Sequence, residues 1–145
     1  MSQIQDVFAF NRLVGNTPGT VFRINFPLLN QAIAHCQEEL NEELIPASQQ
    51  LEFDFESWCD GEISTPSWAE SISNVADGAI DLMYVAANVL YALGVNAEAC
   101  WEAVQKANMA KAPGGVVKRA PGGKVLKPEG WQPPHLADII LQQLR

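Results

Sequence analysis

Along most of this chain apolar residues recur at spacings of three and four, the pattern of helices that turn one face to a core. Leu29, Ile33, Cys36, Leu40 and Leu44 form one such stripe. Asn25 can cap that helix and Pro27 suits its first turn, while Pro46 is expected to end or kink it. Ahead of it, Val7 to Val14 can form a short helix, closed by the turn cluster Gly15-Asn16-Thr17-Pro18-Gly19. Residues 51 to 64 mix aromatic and acidic side chains (Phe53, Asp54, Phe55, Trp58, Asp60) with Gly61, which reads as a loop or short irregular element. Thr65 as cap and Pro66 at the first position then open the longest helix, which stops at Gly94. Asn96 caps a fourth helix that ends near Met109. Residues 113 to 134 are dense in glycine and proline and form an irregular strap, and a short amphipathic helix from Leu136 to Leu144 closes the chain. The pattern predicts an all-α fold, a small helical bundle in a single domain over residues 1–145.

Composition adds compartment and charge. With 145 residues, 48% of them apolar and 18% charged, the chain can bury a core of its own. A net charge of −8 excludes general binding to nucleic acid or to anionic membranes, both of which need a positive surface. The distribution says more than the total. Between Arg23 and Lys106 lie fourteen acidic residues and no lysine or arginine, whereas six of the nine basic residues (Lys106, Lys111, Lys118, Arg119, Lys124, Lys127) fall together near the C-terminus. An acidic body with a basic strap suits a metal–polyphosphate complex, and it equally suits a solubilising charge bias with a solvated basic loop. Cys36, Cys59 and Cys100 are scattered and odd in number, which reads as small core residues in a reducing compartment. The first eleven residues carry no lysine or arginine, so no secretory signal is expected, and the apolar run from Ala79 to Leu93 is short for a membrane span. The expected location is cytoplasmic.

The chemistry concentrates in two acidic clusters, Glu38-Glu39-Leu40-Asn41-Glu42-Glu43 and Asp77-x-x-x-Asp81. On a helical wheel Asp77, Asp81, Tyr84 and Asn88 fall within about 60° of one another, a polar stripe on an otherwise apolar helix. Buried carboxylates need a partner or a metal, and no basic residue is near in sequence. Glu39 and Glu42 share a face of the preceding helix, so antiparallel packing would set them opposite Asp77 and Asp81. Oxygen ligands without His or Cys select hard cations, Mg²⁺ or Mn²⁺ and in principle Ca²⁺. Taken alone, the glutamate cluster fits a solvated helix face.

Other chemistries lack their residues. A di-iron bundle wants Glu-x-x-His pairs, and neither His35 nor His135 is placed to supply one. No serine or cysteine stands in a nucleophile motif. The strap has glycines beside lysines, which lets backbone amides and ammonium groups approach one phosphate, but it contains no GxxxxGK[ST] loop.

Glu38-Glu39-x-x-Glu42 followed by Asp77-x-x-x-Asp81-Leu-x-Tyr84 resembles the MazG-like, all-α nucleotide pyrophosphohydrolases. The later Asn108-Met109-x-Lys111, Gly123-Lys124-x-Leu-Lys127-Pro128 and Pro133-Pro134-x-Leu136 look like the phage and bacterial branch related to phosphoribosyl-ATP pyrophosphohydrolase. This resemblance implies cleavage of a nucleoside triphosphate between the α and β phosphates, with two or three Mg²⁺ or Mn²⁺ ions. It implies Glu39, Glu42 and Asp81 as metal ligands and Glu38 as an outer-shell or water-activating group. The usual ExxD becomes Asp77-x-x-x-Asp81 here, with Gly78 at the expected glutamate, so Asp77 is the replacement candidate. Lys111, Lys124 and Lys127 would then meet phosphates, with Asn108 as a further donor. The resemblance also implies a homodimer or homotetramer. Overall the chain looks most like the MazZ type, which acts on dGTP or GTP, with dUTP, dCTP and phosphoribosyl-ATP as other candidate substrates and a non-catalytic nucleotide or Mg²⁺ sensor as the alternative class. Base recognition is expected from Phe8, Asn11 and Arg12, with Tyr84 and Asn88 as further substrate-binding candidates.

Overall fold

A computed structural model describes residues 2–145. The chain forms two compact units, residues 1–93 and 94–145. All regular elements are helical, and among the described residues β-structure amounts to two isolated bridges, Thr20 with Arg23 and Arg119 with Val125.

The first unit holds α1 (Gln3–Leu13), α2 (Phe26–Glu38), a π-helical turn (Glu39–Leu44), α3 (Ile45–Cys59) and α4 (Thr65–Leu93). Helix α1 starts earlier than Val7 because the Ser2 hydroxyl accepts from the Gln5 amide at 3.3 Å, half of a Ser-x-x-Gln capping box. Asn25 caps α2 through the Leu28 amide at 3.2 Å. Pro46 does not end the helical path. The Ile45 amide reaches back five residues to the Leu40 carbonyl, and this wider turn eases the clash a proline makes inside an α-helix. Helix α3 therefore runs on to Cys59 through residues expected to be irregular. The Asp54 carboxylate on it accepts from Gln50 at 2.8 Å and from the Ser71 hydroxyl of α4. The cap of α4 is Ser64, whose hydroxyl accepts from the Ser67 amide at 3.2 Å, and not Thr65.

Helix α4 is the spine of this unit, with α1, α2, the π turn and α3 all packed along it. Leu28, Tyr91 and Ala92 make the core cluster, joined by Phe8 and Leu29. At its C-terminal end the Tyr91 and Ala92 carbonyls accept from the amides of Gly19 and Asn25, each at 3.0 Å. These bonds satisfy carbonyls that a helix end leaves open. Gly19 has no alternative there, since a Cβ would lie 1.7 Å from the Ala92 oxygen. By length and composition α4 also passes as a membrane span, which the run from Ala79 alone does not, yet it carries Asp77 and Asp81 and serves as the packing surface of the other helices.

The second unit holds α5 (Ala97–Met109), a 3-10 turn (Pro113–Gly115) and α6 (Leu136–Gln143). Asn96 caps α5 through the Ala99 amide, and the Gln143 side chain accepts from the Asn96 amide at 2.8 Å. The strap between them is irregular, as its composition requires, but it folds one tight hairpin. Lys118 and Leu126 are joined by a backbone bond of 2.8 Å, as are Ala120 and Lys124, with Gly123 at φ 81° in the turn. Of the three cysteines Cys100 is buried, Cys36 is partly buried, and Cys59 is exposed and so is no core residue.

Candidate metal and nucleotide site

The polar stripe on α4 is continuous and meets two different elements. Its C-terminal half faces α1. Asn88 Oδ1 accepts from Asn11 Nδ2 at 2.7 Å, and the Tyr84 ring lies edge-on to Phe10 with centroids 5.9 Å apart. The N-terminal half faces the π turn. Glu42, Glu43, Asp77 and Asp81 line one pocket of about 370 Å³ with Asn74, Gly78, Pro46 and Ala47.

Glu39 stands beside this group. Partial burial and then the negative charges of Asp81, Glu43 and Glu38 push its carboxyl above the ordinary value, against a smaller opposing pull from His35. Charge is therefore crowded here, and among the described residues no lysine or arginine lines the pocket to relieve it. Asp77 and Asp81 are themselves exposed, which corrects the expectation that a buried charge forces a metal; crowding of like charge, not burial, is the physical pressure.

The π turn and Gly78 explain the altered motif. A Cβ at Gly78 would sit 3.2 Å from both the Leu44 Cα and the Leu44 nitrogen. Helix α4 and the widened turn thus pack backbone against backbone, and a side chain at position 78, such as the glutamate of an ExxD motif, would have to push them apart by a few tenths of an ångström. Asp77, one position earlier, lines the pocket instead.

The remaining expected residues fall in different places. Asn11 is 1% exposed, and its amide donates to Asn88 and to the Val7 carbonyl at 2.9 Å while its oxygen accepts from Asn16 at 2.8 Å. That leaves it little capacity to read a base; it fastens α1 to α4. Phe8 packs edge-on against Tyr91, centroids 5.0 Å apart, in the core. Arg12 is exposed in the last turn of α1. Glu38 is exposed at the end of α2. In the second unit the Lys111 ammonium donates to Asn108 Oδ1 at 2.8 Å, and Lys111 and Lys127 border a second pocket, whereas Lys124 does not. Sequence reasoning missed Asn74 and Lys118. Asn74 lies on the same wheel face as Asp77 and Asp81, so extending the stripe one turn earlier finds it.

A carboxylate-only donor set fits a hard divalent cation. Among the described residues no three acidic, histidine or cysteine groups already stand as a closed ligand set, so a cation would have to draw these side chains inward. The all-helical build is that of the MazG-like all-α superfamily. More narrowly, the model of the phosphoribosyl-ATP pyrophosphohydrolase family matches residues 11–108, and the chain belongs to that family. It is accordingly a pyrophosphohydrolase, a hydrolase of phosphoric anhydrides. Comparison with curated protein sequences gives no match.

Proposed function

We propose that this protein hydrolyses a nucleoside triphosphate, dGTP or GTP first among them, to the monophosphate and pyrophosphate in the cytoplasm. The observation that carries the reading is the pocket between the π turn and α4, where acidic side chains crowd without a protein cation in a chain of this family. Glu39, Glu42, Asp77 and Asp81 would hold Mg²⁺ or Mn²⁺, with Glu43 on the same wall. A divalent cation bound there would supply positive charge to phosphate oxygens and lower the pKa of a water. Glu38, next to the ligands and exposed, is the group to accept that water's proton. Lys111, Lys124 and Lys127 are assigned to the outer phosphates and the departing pyrophosphate, with Asn108 holding Lys111 in place. Tyr84 and Asn88 offer a ring and an amide on the same stripe for the nucleoside, with Arg12 as a further candidate.

The working form is a homo-oligomer in this reading. Ile72, Ile80 and Met83 share one face of α4 and are exposed, Ile80 by 62% and Met83 by 60%. Contiguous apolar surface of this kind marks an interface. Phosphoribosyl-ATP is the runner-up substrate, on the family's description.

The test is pyrophosphate release from a panel of ribo- and deoxyribonucleoside triphosphates and phosphoribosyl-ATP, with Mg²⁺ and then Mn²⁺. Release expected from dGTP and GTP should vanish in Glu39→Ala and Asp81→Ala. Another preferred base keeps the reaction and changes the substrate. No release from any of them, with metal still bound, would replace the enzyme by a nucleotide sensor.

A further inference from the structure

The second unit contains a pocket of about 190 Å³ lined by Lys111, Lys118, Lys127, Leu126, Pro128 and Glu129. Three cations meet there with one carboxylate, and the Lys111 ammonium donates to Asn108 Oδ1. Two independent features gather them. The hairpin bond between Lys118 and Leu126 brings Lys118 beside Lys127, although nine positions separate them in sequence. The Trp131 ring serves the other pair, with the Lys127 ammonium 4.5 Å and the Lys111 ammonium 5.4 Å from its centroid. That ring is fixed in turn, because its indole N–H donates to the Ala107 carbonyl of α5 at 2.7 Å. A ring face attracts an ammonium group, so Trp131 gives both ammonium groups one common contact.

We propose that Lys111, Lys118 and Lys127 form a binding pocket for a phosphate chain, with Trp131 as its positioning residue. The inference rests on the pyrophosphohydrolase reading for its biological ligand but not for its geometry. All of the pocket lies beyond residue 108, where the family match ends. Lys118 and Trp131 are thus additions to the lysines already assigned. The volume is below the ~300–1,000 Å³ of pockets that enclose a whole drug-sized ligand. It suits the phosphates and leaves the nucleoside outside. The phosphate chain can arrive as free pyrophosphate or as the outer part of a triphosphate.

Calorimetric titration of the full chain in EDTA separates these sources, because the acidic pocket is then without metal. Inorganic pyrophosphate and an α,β-methylene nucleoside triphosphate are the two probes. Lys118→Ala should weaken pyrophosphate binding about tenfold, the loss of one charge-assisted contact. Trp131→Leu should weaken it similarly, and Trp131→Phe, which keeps a ring face but lacks the indole N–H that fixes it, should restore part of it. Tighter binding of pyrophosphate than of the analogue marks a product site; the reverse marks a substrate site. In turnover with metal, Lys118→Ala should raise KM and leave kcat nearly unchanged. Pyrophosphate affinity unaltered in Lys118→Ala, or equal in Trp131→Leu and the parent, overturns the pocket even if nucleotide hydrolysis is intact. Conversely, pyrophosphate binding that these variants weaken in a chain that hydrolyses no nucleotide keeps the pocket and removes the enzymatic reading.

Discussion

At the scale of single residues, Asn11 shows how a polar side chain that looks available can be wholly committed. Its three hydrogen bonds join Val7, Asn16 and Asn88 in one network around the buried Asn11 side chain. Asn11→Leu would remove the side-chain bonds that Asn88 and Asn16 make to it, a loss of about 3 kcal/mol by urea denaturation. Asp54 carries the clearest pH signal. Hydrogen bonds from Ser71 first, and then Gln50, hold its carboxyl below the ordinary 3.8. A depressed folded value means stability that is present above pH 3.8 and lost as the pH falls through the lower folded value. Asp54→Asn should therefore flatten the acid limb of a stability–pH curve below 3.8 and leave its course near neutrality unchanged. The polar stripe of Asp77, Asp81, Tyr84 and Asn88 was legible because helical periodicity is a local property. The burial of Asn11 was not, since it depends on a partner 77 positions away.

At the scale of elements, the π turn and α4 act as a pair. Widening the helix between Glu39 and Leu44 admits Pro46, and Gly78 lets α4 approach the widened segment. Gly78→Ala should push the two apart by a few tenths of an ångström and weaken Mn²⁺ binding about tenfold, in keeping with changes just outside a metal's ligands. Thermal shift against Mn²⁺ concentration reads this directly, and an unchanged midpoint would show that the close approach is irrelevant to the site. Helix boundaries were readable wherever a cap was strong, at Asn25 and Asn96. The run from Leu51 to Cys59 misled because its acidic and aromatic residues mimic loop composition, while the contacts that keep it helical, such as Asp54 with Ser71, are tertiary. A π turn leaves no composition signature at all, so its position could not be read.

At the scale of the whole molecule, charge divides between the two units. The acidic clusters all lie in residues 1–93, and every lysine lies in residues 94–145. The exposed Ile72–Ile80–Met83 face of α4 predicts that sedimentation finds more than one chain per particle at micromolar concentration, and that Ile80→Lys with Met83→Lys shifts it toward the monomer. The same mass for both proteins would refute that interface. The all-α class followed from periodicity, whereas the exposure of this face could be known only once α1, α2 and α3 had taken their places on α4. The network around Asn11 and Tyr91 has a consequence in time. Its bonds close over 75 and 77 positions, so α1 leaves the ribosome long before its partners exist. A nascent chain halted before Asn88 would hold Asn11 hydrated and α1 loose, and would become protease-resistant only when the end of α4 emerges.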